Sequence, residues 1–243
     1  MAGIEKEIIP EIMWPTPTLR VKHKGVEDFN KALAAVVKRR EKEVLSRSKP
    51  TKVAGQTQGL GAHWLEYNVL NWDDPEIVQF RKMVLSGLRE FFKMVGDPDD
   101  PGMKITGISC WANIVRYGDA LEVHNHDPAF ASAHYQVQSG YEYKDNRDQP
   151  GGLADSGHTV YFRPGFLDRS QGGLAAGPTS PWDHDWHRSV RPQEGSLFVF
   201  PSYVRHEVRP YLGHEERISI AMDVFIAKQQ VQMFFGGPRW FIP

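Results

Sequence analysis

Two histidines two positions apart, His124 and His126, stand between Glu122 and Asp127 in the stretch LEVHNHDPAF, residues 121–130. Imidazole is both a metal ligand and a proton carrier near neutral pH. In extended backbone, residues two apart face the same way, so His124 and His126 are expected side by side with Asn125 and Asp127 turned away. Such a comb can chelate a metal; the other reading is a pair of satisfied barrel or surface histidines. The chain has one cysteine, Cys110, within GISCWANIV. It excludes an intrachain disulfide or a cysteine zinc site and reads as a small buried hydrophobe. Any metal here is held by histidine and carboxylate.

A third ligand has to come from elsewhere, and RPQEGSLFVFPSYVRHEVRPYLGHEERISIAMDVF offers His206. Gly195 reads as a turn, SLFVFP as a strand, Ser202 to Arg205 as a short bend, and His206 as the first residue of the next strand. Eleven residues later Arg217 opens RISIAMDVF. Consecutive antiparallel strands of a barrel bring such positions back into one cavity. A guanidinium beside a metal suits a dicarboxylate: one end chelates the metal and the planar fork takes the other through two parallel charge-assisted hydrogen bonds. The alternative for Arg217 is a surface charge following GHEE.

These residues need elements to hold them. Residues 1–25 carry Pro10, Pro15 and Pro17 and read as extended. VEDFNKALAAVVKRREKEVLSR, residues 26–47, is an amphipathic helix whose basic run KRREK reads as a solvated face. TKVAGQTQGLGAH connects onward. In NWDDPEIVQFRKMVLSGLREFFKMVG, Asp74 is an N-cap, Pro75 the first helical residue and Gly96 the stop. Ile77, Phe80, Val84, Leu88, Phe91 and Val95 form the buried side of this second helix. Short β-rich runs follow: ITGISCWANIVRYG, ASAHYQVQSGYEYK, HTVYFRPGF, SLFVFPS, HEVRPYL and RISIAMDVFIA. Helices first and strands second give an α+β protein, with helices packed on one face of an antiparallel barrel or sandwich. The Gly-, Pro- and Asp-rich segment 145–190 is an insertion suited to a lid. Its His158, Arg163, Trp182, His184, Trp186 and His187 are candidates to line the pocket mouth, with plain loop packing as the equal alternative. DHDWH also raises a second metal site. In SAHYQV, His134 and Tyr135 cannot both face the pocket.

With 243 residues and 29 basic against 30 acidic side chains, one large domain is expected. Without a long run of either sign, nucleic acid and polybasic membrane contacts are excluded as partners. No apolar run reaches the roughly 18 residues of a membrane span, and MAGIEKEIIPEIMWP lacks the character of a secretory signal, which points to the cytoplasm. The aromatic C-terminus MFFGGPRWFIP calls for cover by the core helices or by a second subunit, a homodimer.

WANIVRYGDALEVHNHD, SAHYQV, GSLFVFPSYVRHEV and ERISIAMDVF, in that order, resemble the Fe(II)/2-oxoglutarate-dependent oxygenases. The match is to a bacterial group with a Trp-x-Asn strand and a His-x-His turn and, more distantly, to the aspartyl/asparaginyl β-hydroxylases. It spans residues 105–227, about half the chain. The resemblance implies a double-stranded β-helix, the jelly-roll or cupin-like barrel, with N-terminal helices on one sheet. The whole chain, 1–243, is then a single oxygenase domain: 1–100 an extended N-terminus and supporting helices, 101–230 the barrel with its insertion at 145–190, and 231–243 a tail. It implies Fe(II) with 2-oxoglutarate and O2 as cosubstrates, His124 and His206 as iron ligands and Arg217 as partner of the 2-oxoglutarate C5-carboxylate. Trp111, Asn113 and Tyr135 match positions lining the cosubstrate pocket, with Asn113 or Tyr135 a donor to a carboxylate.

One position departs from the family pattern. The common site has two histidines and one carboxylate, and where that carboxylate belongs this chain has His126. Three solutions exist: His126 is the third ligand, the chain kinks so that Asp127 reaches the metal, or water fills the place. Period-two geometry favours His126. The implied activity is hydroxylation of an unactivated C–H bond of a small molecule or amino-acid-like substrate, with release of succinate and CO2. Halogenation is a lesser alternative, because His126 would occupy the position chloride needs. A metal-binding cupin or sensor without turnover, and a zinc hydrolase using the same histidines, are the alternatives from other classes.

Overall fold

The proline-bearing N-terminus is paired with itself. In the computed structural model, which describes residues 5–13, 16–47, 59–97, 99–140, 155–164, 187–229 and 238–243, strands β1 (Glu5–Met13) and β2 (Thr16–Lys24) run antiparallel. Pro10 lies on β1, at the sheet edge, where a missing N–H can be tolerated. Helix α1 (Glu27–Leu45) and helix α2 (Pro75–Val95) follow. Then come β3 (Ile105–Val115), β4 (Leu121–His124), β5 (Ala131–Gln138) and β6 (Thr159–Phe162). Strands β7 (His187–Val190), β8 (Ser196–Pro201), β9 (His206–Val208) and β10 (Arg217–Ile226) complete the order. They form a six-stranded sheet, β1-β2-β8-β5-β10-β3, and a four-stranded sheet, β4-β9-β6-β7. All pairings are antiparallel, and the two sheets make a double-stranded β-helix.

Alternation along the large sheet separates two environments. On β10, Ile218, Ile220, Met222 and Val224 turn to one side, joined by Ala133 and Tyr135 from β5 and Leu197 and Val199 from β8. Against this face lie Leu33 and Val37 of α1 and Phe80, Val84, Leu88 and Phe91 of α2, all buried in the same core. At Gly87 the helix comes so close that an added Cβ would stand 2.4 Å from the Leu197 side chain. The other face looks across to the small sheet and carries Arg217, Ser219, Ala221 and Asp223 of β10. Fully burying a side chain such as Phe80 contributes several kcal/mol, including the packing that a cavity would forfeit. Phe80 is 0% exposed and meets the Tyr135 ring edge-on at 5.3 Å. Phe80→Ala is therefore expected to lower unfolding free energy by about 3–5 kcal/mol in a denaturant titration.

Asp74 begins α2 but its carboxylate makes no cap bond. The carboxylate is taken instead by Arg40, at 2.8 Å, and by Arg39. The basic run on α1 thus fixes the start of α2, with Arg40 also 2.6 Å from Asp73. Lys38 and Arg116 both hold Glu216, at 2.9 and 2.8 Å, and Arg116 reaches buried Glu41 at 2.7 Å. These partly exposed pairs contribute little energy each, but they tie α1 to the end of β3 and to the residue before Arg217. No helix among the described residues is long and apolar enough to cross a membrane.

Candidate metal centre

His124 ends β4, and its antiparallel partner in register is His206, the first residue of β9. Directly opposed residues on one sheet face bring their side chains together, and the two ring centroids stand 4.4 Å apart. His126 reaches them differently from the sequence expectation. β4 stops at His124, so the comb on one continuous strand does not form. The backbone leaves the strand with the His126 N–H donating to Ser202 O (3.0 Å) and its carbonyl accepting from the Ala129 N–H (2.9 Å). This places the His126 ring 5.1 Å from that of His124 at 76° and 5.0 Å from that of His206 at 23°. One nitrogen from each of the three lies within 4.8 Å of the others.

The second nitrogen of each ring is engaged. His124 Nδ1 is 2.6 Å from Glu122 O, His206 Nδ1 3.1 Å from Val204 O, and His126 Nδ1 3.1 Å from Asp223 Oδ1. With carbonyl and carboxylate acceptors at every Nδ1, that nitrogen carries the proton and Nε2 keeps its lone pair. His126 Nε2 and His206 Nε2 face each other at 3.3 Å. Burial, and then the neighbouring His126, lowers the pKa of His124; burial, followed by His124 and His126, holds His206 well below the ordinary imidazole value. Both shifts favour the neutral ring, the form that metal ligation requires. Three imidazole nitrogens gathered this closely suit Fe(II) among the borderline divalent ions.

Asp127 is not part of this group: its Oδ2 accepts from Asn125 Nδ2 at 2.8 Å and its Oδ1 from Ser202 Oγ at 3.3 Å. Arg217 is 2% exposed, with Nη1 3.4 Å from Ser219 Oγ and Nη2 3.5 Å from Thr159 Oγ1 across the barrel. Asn113 pairs in register with Ser219 and so shares the Arg217 face. Trp111 lies on that face too, 5.7 Å from the His126 ring and 5.9 Å from that of Trp64. Tyr135 does not reach the pocket. It points to the helices, donating its hydroxyl to Asn30 Oδ1 at 2.8 Å, because β5 alternates and it is His134 that faces inward. His134 Nε2 is 2.5 Å from the Tyr161 hydroxyl.

Sequence reasoning missed Asp223 and Ser132, which stand opposite each other on β10 and β5. A signal existed: Asp223 is six residues from Arg217, an even number, in a strand otherwise almost wholly apolar. Tyr161 and the Trp64–Trp111 contact had none. From the insertion, His158 is placed with Nδ1 2.8 Å from Ser189 Oγ, facing β7. Trp182, His184 and Trp186, and with them all of the DHDWH motif but His187, lie outside the described residues; His187 is the first residue of β7.

The buried histidines give the metal-free protein a pH dependence of definite sign. His23, His124, His134, His158 and His206 all have pKa values lowered below 6.5, in each case first by burial. For His134 the fall reaches about 3, with Arg217 and Arg20 adding to it. Below 6.5 the unfolded chain binds protons that the folded chain refuses, so stability rises with pH across this window. Their contribution is full above about pH 6.5 and is lost progressively as pH falls toward 3. Urea unfolding of the metal-free protein is expected to give a smaller free energy at pH 5.5 than at pH 7.5; an equal or larger one would contradict it.

Residues 109–223 match the sequence model of a family described as "Putative 2OG-Fe(II) oxygenase". No curated protein matches the chain in sequence. Among solved structures, a Pseudomonas putida prolyl-4-hydroxylase is similar, with 21% identity, coverage of 86% of this chain and 92% of its own, and a TM-score of 0.52. A Trichoplax adhaerens prolyl hydroxylase, solved with a peptide fragment of the hypoxia inducible factor oxygen degradation domain, matches at 13% identity. It covers 93% of this chain and 87% of its own, again at 0.52. HygX from Streptomyces hygroscopicus, with iron bound, matches at 11% identity over 87% and 83%, also at 0.52. At these identities the likeness is one of fold.

Proposed function

From the oxygenase family match over residues 109–223 we propose that the chain is a 2-oxoglutarate/Fe(II)-dependent hydroxylase whose iron is held by His124, His126 and His206. The observation that carries this reading is the convergence of three imidazole nitrogens within 4.8 Å, each ring fixed through its other nitrogen. Iron bound there supplies the coupling of O2 reduction to oxidative decarboxylation: R–H, O2 and 2-oxoglutarate give R–OH, succinate and CO2.

The chain's own residues supply position and dryness. Each histidine has its Nδ1 engaged by an acceptor, which leaves Nε2 to hold the iron, and three protein ligands would leave places for cosubstrate and oxygen. Arg217, buried between the sheets, takes the far carboxylate of 2-oxoglutarate through its planar fork, with the Ser219 and Thr159 hydroxyls beside it. Asn113, on the same face, is in position to donate to a carboxylate. Tyr161, Phe198, Phe200 and Val204 pack together next to His206 and keep water from that wall. Trp111 packs beside the His126 ring.

The substrate proposed is a small molecule or amino-acid-like compound carrying an unactivated C–H bond. A near-neutral net charge supports this class, and the prolyl hydroxylases among the fold neighbours accord with hydroxylation as the outcome. A cytoplasmic setting and a homodimer belong to the same proposal and rest on the sequence alone; at the described end of the aromatic tail, Trp240 and Phe241 are covered within the chain by Phe225 and Ile108. The test is anaerobic loading with Fe(II) and 2-oxoglutarate, then admission of O2 while succinate is measured, with and without a panel of amino acids and small metabolites. Succinate is expected slowly without substrate and faster with the right one. No succinate under any condition, together with no binding of 2-oxoglutarate, would remove the reading.

A further inference from the structure

The three histidines are not held alike. His124 and His206 each place Nδ1 on the carbonyl two residues earlier in the chain, Glu122 and Val204. His126 alone is held across the barrel, by the carboxylate of Asp223 on β10. Asp223 Oδ1 is itself fixed by the Ser132 hydroxyl at 2.7 Å, and Ser132 is 1% exposed. The Asp223 side chain is itself 15% exposed, and a carboxylate so largely withdrawn from water is costly unless it is paired. Its immediate partners are a hydroxyl and an imidazole N–H, and the next cation is Arg239, stacked on the rings of Trp64 and Trp240 at 4.9 and 4.4 Å.

Three imidazole ligands bring no negative charge to a divalent ion, whereas the common set of two histidines and a carboxylate brings one. We infer that Asp223 is the carboxylate of this centre, moved one shell outward and acting on the metal through His126. Its negative charge holds the His126 proton on Nδ1, aims the ring, and strengthens Nε2 as a donor. The geometry accounts for His126 standing where a carboxylate belongs: the lost charge returns from β10, along the same face that carries Arg217. Asp223 is a positioning residue, and the inference rests on the metal reading above.

Metal affinity of the intact protein tests it, with Fe(II) under anaerobic conditions or Co(II) as the probe, and titration calorimetry as the readout. The wild type is measured first; if it binds neither ion, the metal reading itself fails. With wild-type binding established, Asp223→Asn is expected to weaken affinity 10- to 100-fold, the effect of losing an outer partner of a ligating histidine. Ser132→Ala, which frees the carboxylate without removing its charge, is expected to weaken it several-fold. A merely structural Asp223 would lower the melting temperature of the metal-free protein and leave affinity alone. Affinities within twofold of wild type for both variants would overturn the inference.

A double-mutant cycle supplies a readout of sign. In a His126→Asp background, Asp223 no longer meets an imidazole N–H but faces another carboxylate. There Asp223→Asn is expected to raise metal affinity rather than lower it. A fall of the same size in both backgrounds would show that Asp223 does not act through His126.

Discussion

His206→Ala is expected to bind Fe(II) more than 100-fold more weakly than the wild type and to form no succinate above background. Losing the outer partner of a ligating histidine already weakens binding 10- to 100-fold, and here a ligand itself is lost from a set of three. His206 stands opposite His124 in register, so what remains is His124 and His126, with a void beneath Tyr161 and Phe200. The Val204 carbonyl also loses its donor, at a cost of about 1–3 kcal/mol, so the variant's melting temperature has to be measured beside its affinity. His126→Ala is expected to behave in the same way, and Asp127→Ala to bind metal within about threefold of wild type. Asp127 is engaged by Asn125 and Ser202 rather than by the cluster. The reverse pattern, with metal retained without His126 and lost without Asp127, would make the carboxylate the third ligand.

How far this centre could be read in advance depends on what each residue's position was a consequence of. His206 and Arg217 were legible because Gly195, the bend at Ser202–Arg205 and the apolar run RISIAMDVF mark where their strands begin, and local chemistry sets those boundaries. The helices were legible for the same reason, since apolar spacing, Pro75 and Gly96 are local signals. His126 was identified with the right neighbours on the wrong geometry. Period-two spacing presumes that the strand continues, and β4 ends at His124 because the next residues bond to Ser202 and Ala129, far off in sequence or across a turn. The choice between His134 and Tyr135 was open because β5 is buried on both faces, so hydrophobicity does not separate them. Only Asn30 on α1, meeting the Tyr135 hydroxyl, decides it. The pairing of β2 with β8 was likewise out of reach. Prolines forecast an extended chain, not the strand it joins. Asp223 was within reach, through its parity with Arg217.

Arg217→Ala is expected to raise the dissociation constant for 2-oxoglutarate by about 30- to 3,000-fold, measured anaerobically on the iron-loaded protein. Truncating one member of a buried, hydrogen-bonded charge pair costs about 2–5 kcal/mol, and each 1.4 kcal/mol is a factor of ten. Arg217 meets the conditions for the upper part of that range. It is 2% exposed, and its stem is packed against Gly157, where an added Cβ would stand 3.4 Å from Arg217 Cδ and 2.8 Å from Tyr211. Gly157 also has a φ of 66°, which side chains rarely adopt. The guanidinium is thus delivered through a fixed channel, so Arg217→Lys keeps a charge but loses the second parallel hydrogen bond. It is expected to recover only part of the loss and to remain at least about tenfold weaker than wild type. At saturating 2-oxoglutarate the turnover of both variants is expected to stay within a few-fold of wild type, because Arg217 does not touch the metal ligands. An unchanged dissociation constant in Arg217→Ala would move the carboxylate to the neighbouring pocket lined by Arg20, Gln136 and Arg191, and Arg20→Ala would then carry the defect that Arg217→Ala lacked.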